Sequence, residues 1–294
     1  MAFFDLEEKA MMDKRALLER IDAYFEKKSE ELAEEARADF ESFLTLMEAG
    51  ELRAASPVEE EGEIRWVVEP AVKRGILLGF RLGKNREMEG AGLQFSDKDT
   101  YPAQQLPVVE RNIRIVPGGN SVRRGAYLGA NVTMMPPAFV NVGAYVDQGS
   151  MIDSHALVGS CAQIGKGVHL SAGAQIGGVL EPIGQTPVIV EDGVMVGGNV
   201  GLYEGVQVGK GAVIGAGSVI TASTPVFDLV NERVLRATAE DPLKIPAGAV
   251  VIPGSRPARG EFAREHGLHM ATLLIIKYRD EKTDDRTALE ELLR

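Results

Sequence analysis

With a single cysteine, Cys161, the chain cannot close an intrachain disulfide. Aromatic residues are also scarce, at 6% against 33 Gly, a bias toward a turn-rich β architecture of small and branched side chains. Long apolar runs are missing. The longest stretches, such as GILLGF and ATLLII, fall far short of the roughly 20 residues that span a bilayer, so no membrane segment is expected. Positive charge is in deficit as well. A net charge of -11 argues against a non-specific nucleic-acid surface, which needs clustered Lys and Arg, and any anionic ligand must find a local cationic pocket. Asp5, Glu7 and Glu8 stand where a signal peptide would carry its apolar core, so a cytoplasmic location is expected. What remains is 294 residues, 45% of them hydrophobic, enough for one large domain or two modest ones.

Counting by six through the middle of the chain reveals its organisation. Aliphatic residues fall at Val122, Leu128, Met134, Val140, Val146, Ile152, Val158, Ile164, Leu170 and Ile176 without a miss. After GGVLEPIGQTP the count resumes, shifted by two, at Val190, Val196, Leu202, Val208, Ile214, Ile220 and Val226. Small or β-branched residues precede many of these by two, as at Ala126, Ala144, Ser150, Ala162 and Ser218. Neither a helix nor an ordinary strand has a period of six. The period predicts a mainly β fold, a parallel β-helix with three flat sides in which each aliphatic stacks on another one coil away. Gly129, Gly159, Gly165, Gly177, Gly197, Gly209 and Gly215 follow the aliphatic positions directly and are expected to bend the chain between faces with φ > 0. No hexad buries its aliphatic alone, so the ends need capping elements.

The flanks supply candidates. Residues 1–106 are assigned to an N-terminal α/β cap: two helices before residue 50, then a short strand, a helix opened by Pro70 and a second strand between Glu63 and Leu82. Residues 107–257 form the β-helix, with an inserted hairpin or arm near 227–243 and a last pair of hexads at Ile245 and Val251. Residues 258–294 form a C-terminal element, the strand HMATLLIIKYRD followed by the charged helix TALEELLR. The GGVLEPIGQTPV stretch is either a surface bulge between coils or the rim of the active-site groove.

Three strings narrow the function: RIVPGGNSVRRGAYLGANVTMMPPAFVNVGAYVDQGSMIDSHALVGSCAQIGKGVHLSAGAQIGGVLEP, VKRGILLGFRL and VVIPGSRPARG. Together they resemble the tetrahydrodipicolinate N-succinyltransferases of lysine and diaminopimelate biosynthesis, over about two thirds of the chain. That resemblance implies a left-handed hexapeptide β-helix and a homotrimer with sites between subunits. It also implies transfer of a succinyl group from succinyl-CoA, as co-substrate, to the amine of acyclic tetrahydrodipicolinate, without a metal. Residue by residue it marks Arg114 as substrate-binding and Asp153 as both substrate-binding and a catalytic acid or base. The chain departs from the family pattern at Gly201, where the best-known branch has a Glu, which leaves Glu204 as the nearby carboxylate and second catalytic candidate. His155 replaces a family Trp.

The chemistry agrees with these residue types. Amide formation from a thioester needs a neutral amine, a base for its proton, donors for the developing oxyanion and a groove for the pantetheine arm. Asp153 follows the inward Ile152 at a corner and should project outward, although a solvated turn Asp has the same pattern. If the inserted stretch counts as two hexads, Asp153 and Glu204 lie eight hexads apart, on different faces. Dicarboxylate ligands call for Arg, which pairs bidentately, and Arg114 is the first candidate. Arg123 and Arg124 read as solvated or interface charges. His155 or His169 could serve as the base instead, since imidazole titrates near neutrality. A His-only zinc site lacks a third His within the repeat. Cys161 reads as a buried filler with no chemical role. Other readings stay open: an acetyl-CoA-dependent enzyme on the same or another amine, or a non-catalytic or metal-binding trimeric solenoid.

Overall fold

The computed structural model describes residues 2–32, 34–60, 62–90 and 93–279, so the helix expected at 287–294 lies outside the described residues. Helix α1 (Ala2–Phe25), helix α2 (Glu34–Glu48), hairpin β1–β2 (Ala55–Glu60 and Glu63–Val68), helix α3 (Pro70–Leu82) and hairpin β3–β4 (Asn85–Gly90 and Leu93–Lys98) precede the coils. The second strand expected before Leu82 is absent. Residues Gly75–Leu82 continue α3, because Val72, Ile76 and Gly79 fall at helical spacing on its buried side, and extended chain begins only past the Gly83 cap.

Every hexad from Val122 to Ile220 ends a two-residue parallel strand. The first face stacks Ile115, Met134, Ile152, Leu170, Val196, Ile214 and Val251. On the second face Val122, Val140, Val158, Ile176, Leu202 and Ile220 stack. The third carries Leu128, Val146, Ile164, Val190, Val208 and Ile245. These side chains, with the small residues two positions before them, form one continuous buried core. At roughly 1.5–3 kcal/mol per buried aliphatic, the stack outweighs any local propensity.

The glycines do their work differently from the expectation. Those directly after an aliphatic matter because the next coil passes too close for a side chain: a Cβ at Gly129 would lie 2.6 Å from the Gln148 backbone nitrogen, and one at Gly159 2.2 Å from that of Gly178. The left-handed turn comes two residues later, at Gly125, Gly143, Gly167, Gly193 and Gly211. Asn131, His155, Cys161 and Asn199 occupy the same slot with positive φ. The corner therefore needs glycine for close approach at one position and for backbone conformation at another.

The inserted stretch also differs from the sequence count. Ile164 pairs with Val190, a coil of 26 residues where Val146 to Ile164 takes 18. The insertion thus lengthens one step between faces and adds no strand, so seven steps separate Ile152 from Leu202 instead of eight. The two carboxylates still fall on different faces. The arm is a hairpin, Val226–Asp228 with Arg233–Leu235, and the long strand His269–Tyr278 runs between it and Ala249–Pro257. Burial works to raise the Asp228 carboxyl, yet hydrogen bonds from Asn231, Tyr278 and Arg233 bring it down to about 2. That cluster fastens the hairpin to the long strand through Tyr278, whose Oη donates to Asp228 Oδ2 at 2.8 Å.

The cap packs on the third face and its corner. Phe40, Phe43, Leu44, Ile76 and Leu78 form a second core that takes in Val142 and Cys161 of the solenoid wall. Arg53 lies 3.6 Å from the ring centre of Tyr145, and its Nε donates to Gln163 Oε1 at 3.0 Å. Arg123 and Arg124, expected as solvated or interface charges, are part-buried at this junction and paired within the chain. Arg123 pairs with Asp97 and donates to the Tyr101 carbonyl, while Arg124 pairs with Glu41 at 2.6 Å and Glu48 at 3.0 Å. Among the described residues no helix is long and apolar enough to cross a membrane.

Candidate functional site

Asp153 follows Ile152 at the corner between the first and second faces, where its backbone N–H donates to Leu170 of the next coil at 2.9 Å. The side chain is half-buried. Oδ1 accepts the Ser154 N–H at 2.7 Å, a local turn bond, and among the described residues Oδ2 accepts none. Arg114 is exposed and points outward from the first coil of the same first face, with Thr133 and then Met151 beside it in register. Two coil spacings of roughly 4.8 Å therefore separate Arg114 from the edge that carries Asp153. Among the described residues no carboxylate pairs with Arg114, which leaves its guanidinium open to an external anion.

Glu204 stands across the second face at its far corner, exposed, with φ 56°. Its Oε2 accepts the Ala222 N–H at 3.1 Å, and its carbonyl accepts Gln185 Nε2 at 3.2 Å. Two clefts open beside it. One, of about 420 Å³, is walled by Gly177, Gly178, Glu181, Gln185, Tyr203 and Thr221 as well as Glu204; the other, of about 370 Å³, runs from Gln185 and Gly205 to Thr238 and Asp241 of the arm. The stretch from Gly177 to Thr186 thus borders two open clefts.

Tyr203 was not singled out by sequence. A Cβ at Gly201 would come 2.4 Å from its ring and one at Gly177 2.7 Å from it, so the ring lies flat across both glycines. It covers the place at which the resemblance puts the missing Glu. The signal was the pair of glycines themselves, but nothing in the spacing says which side chain covers them.

The histidines divide. His155 is exposed on the left-handed turn just past Asp153, while His169 lies on the first face between Met151 and Met195. Among the described residues no group of three His, Cys, Asp or Glu could hold a metal ion. Cys161 is buried, and burial pushes its thiol up to about 12, out of range for a nucleophile at neutral pH. Asp153, Glu204 and Arg114 are not brought to one point within a chain: Arg114 and Asp153 share the first face and its edge, and Glu204 looks out from the other side of the second face.

Comparison with known proteins gives the context. Residues 16–82 match the family model described as tetrahydrodipicolinate N-succinyltransferase N-terminal, and residues 187–222 match that of the hexapeptide repeat of succinyl-transferase. A 2,3,4,5-tetrahydropyridine-2,6-dicarboxylate N-succinyltransferase from Idiomarina loihiensis is 39% identical over 253 residues, 84% of this chain and 85% of that protein. The protein of the same name from Shewanella pealeana is 39% identical over 138 residues, 44% of this chain. That match spans about half, 47%, of the Shewanella protein's length. A Campylobacter jejuni structure assigned to the 2,3,4,5-tetrahydropyridine-2-carboxylate N-succinyltransferases aligns with a TM-score of 0.42 at 19% identity, covering 79% of this chain and 62% of that one. With 85% of the Idiomarina protein and 84% of this chain matched at 39% identity, the chain belongs to the tetrahydrodipicolinate N-succinyltransferase family.

Proposed function

We propose that the protein transfers a succinyl group from succinyl-CoA to the amine of acyclic tetrahydrodipicolinate, in the cytoplasm, as a homotrimer. The observation that carries this is the identity extending over 84% of the chain to a relative of that name, cap and coils together. The step is an acyl transfer. The amine nitrogen attacks the thioester carbonyl, a C–N bond forms, the ammonium proton passes to a base, and the C–S bond breaks with the thiol of CoA leaving protonated. Asp153 is the proposed base, supported by its outward corner position and its open Oδ2. Arg114 would hold a carboxylate of the acceptor. Since Asp153 and Glu204 flank opposite edges of the second face, a neighbouring subunit seated along that face would complete a site with each.

The decisive experiment is thiol release from succinyl-CoA and from acetyl-CoA, each with the cyclic dicarboxylate or its stable analogue 2-aminopimelate. Release with succinyl-CoA that depends on the acceptor supports the reading. A preference for acetyl-CoA, or release with neither, would overturn it.

Two substitutions test the roles. Arg114→Ala should weaken acceptor binding by about 1.5–3 kcal/mol, the range for hydrogen bonds to charged groups, with little change in CoA affinity. Equal loss for both ligands, measured by titration calorimetry, would remove Arg114 from acceptor recognition. Glu204→Gln keeps an oxygen for the Ala222 N–H but cannot take a proton, and turnover should fall by about 10²-fold, the low end for acid or base loss. Unchanged steady-state turnover would mean that this branch works with one acidic group.

A further inference from the structure

Helix α3 carries a lysine where an aliphatic would be expected. Lys73 is fully buried, between Val72 and Ile76 on the side of the helix that packs toward Val142 and Cys161. Burial lowers the pKa of its ammonium, and among the described residues no carboxylate pairs with it. A buried charge without a counter-ion is costly unless hydrogen-bonded, and a Met would fill the same space at no such cost. The partner is backbone. Lys73 Nζ donates to the carbonyl of Gln185, 112 residues away, at 2.5 Å.

Gln185 sits within the insertion that rims both clefts. Its own N–H closes a turn on the Pro182 carbonyl at 3.0 Å, and its side-chain amide reaches Glu204 at 3.2 Å. Leu180, in the same loop, packs against the cap core. At Gly205 the loop lies so near that a Cβ would stand 2.5 Å from the Thr186 carbonyl oxygen. A connected line therefore runs from the cap helix through Gln185 to Glu204.

We propose that Lys73 is a positioning residue. Its ammonium straps the Gln185 carbonyl, holds the 177–187 loop in the shape that forms the two clefts, and fixes the amide of Gln185 on Glu204. The consequence for turnover rests on the proposed reading that a substrate occupies these clefts; the strap itself does not.

The test compares Lys73→Met, which keeps the stem and removes the donor, with Lys73→Gln, which restores a neutral donor. Hydrogen exchange of the backbone amides of residues 183–186, thermal unfolding, and KM and kcat for each substrate are measured on the full chain. In Lys73→Met, loop exchange should quicken and KM for the substrate in these clefts should rise, each by about tenfold, the scale of a lost hydrogen bond to a charged group, with kcat changing less. Lys73→Gln should recover part of both. Loop exchange at the native rate in a folded Lys73→Met variant would overturn the proposal, as would equal loss in both variants in step with a lowered melting temperature. Faster exchange with unaltered KM and kcat would leave the strap standing and remove the clefts from substrate binding. If Lys73→Met fails to fold, Lys73→Leu, which also lacks the donor, takes its place: native loop exchange with lowered stability would make Lys73 a packing residue.

Discussion

Asp153→Asn is expected to slow succinyl transfer by about 10²- to 10⁴-fold, the usual scale for losing a general acid or base. At 1.36 kcal/mol per decade this is about 2.7–5.4 kcal/mol of transition-state stabilisation. The change is chosen to isolate proton transfer. The Ser154 N–H donates to Oδ1 at 2.7 Å, and the amide oxygen of Asn accepts that bond equally well, so the corner keeps its geometry. What disappears is the capacity of the open Oδ2 to accept a proton, which the proposed role as base requires. CoA binding and subunit assembly should survive, as calorimetry and sedimentation would show. The histidines provide the contrast, since His155→Ala alters the exposed left-handed turn beside Asp153 and His169→Ala alters the outward first face. Both should retain most of the rate. Near-normal turnover in Asp153→Asn, with collapse in either His variant, would move the base to imidazole and favour the wider acyltransferase reading.

Ile164→Asp should abolish folding. Ile164 is fully buried on the third face, stacked between Val146 and Val190. Losing its burial costs about 1.5–3 kcal/mol, and an unpaired carboxylate in an apolar stack adds several more. The sum is comparable to the roughly 5–15 kcal/mol that holds a typical domain together. A soluble, folded and active variant, judged by circular dichroism and gel filtration, would refute the inward assignment. Val219→Asp is the control: Val219 belongs to the same repeat one position before an inward residue, is 55% exposed, and should accept the charge with little loss.

Several features were legible because they are periodic. The inward residues and the small residues two positions before them follow from the alternation that each hexad repeats, and the hairpin after Val226 was legible as the place where that count is interrupted. The role of the glycines was read wrongly for a reason internal to the fold. Whether a glycine serves close approach or positive φ depends on the neighbouring coil, and Gly129 and Gly125 look alike in sequence. In the cap, GILLGFRL has both strand and helix character, and the packing of Ile76 and Gly79 against the α2 side chains and Tyr101 settled it as helix. Arg123 and Arg124 look like surface charges because their partners, Asp97, Glu41 and Glu48, lie far away in sequence.

The sequence by itself determined that the aliphatics stack in a coiled β fold, because a side chain at every sixth residue leaves water only by meeting another one coil away, a period that fits coils of three hexads. It also determined that Asp153 faces outward, since the residue after an inward side chain must turn the corner. The tertiary structure alone decided the surroundings of Glu204. The insertion has no period, so the number of faces it crosses could not be counted, and its course is set by a lysine from the cap, a glycine pair beneath Tyr203 and a turn pressed against Gly205. The first of those contacts joins residues 112 apart, and no spacing along the chain encodes any of them.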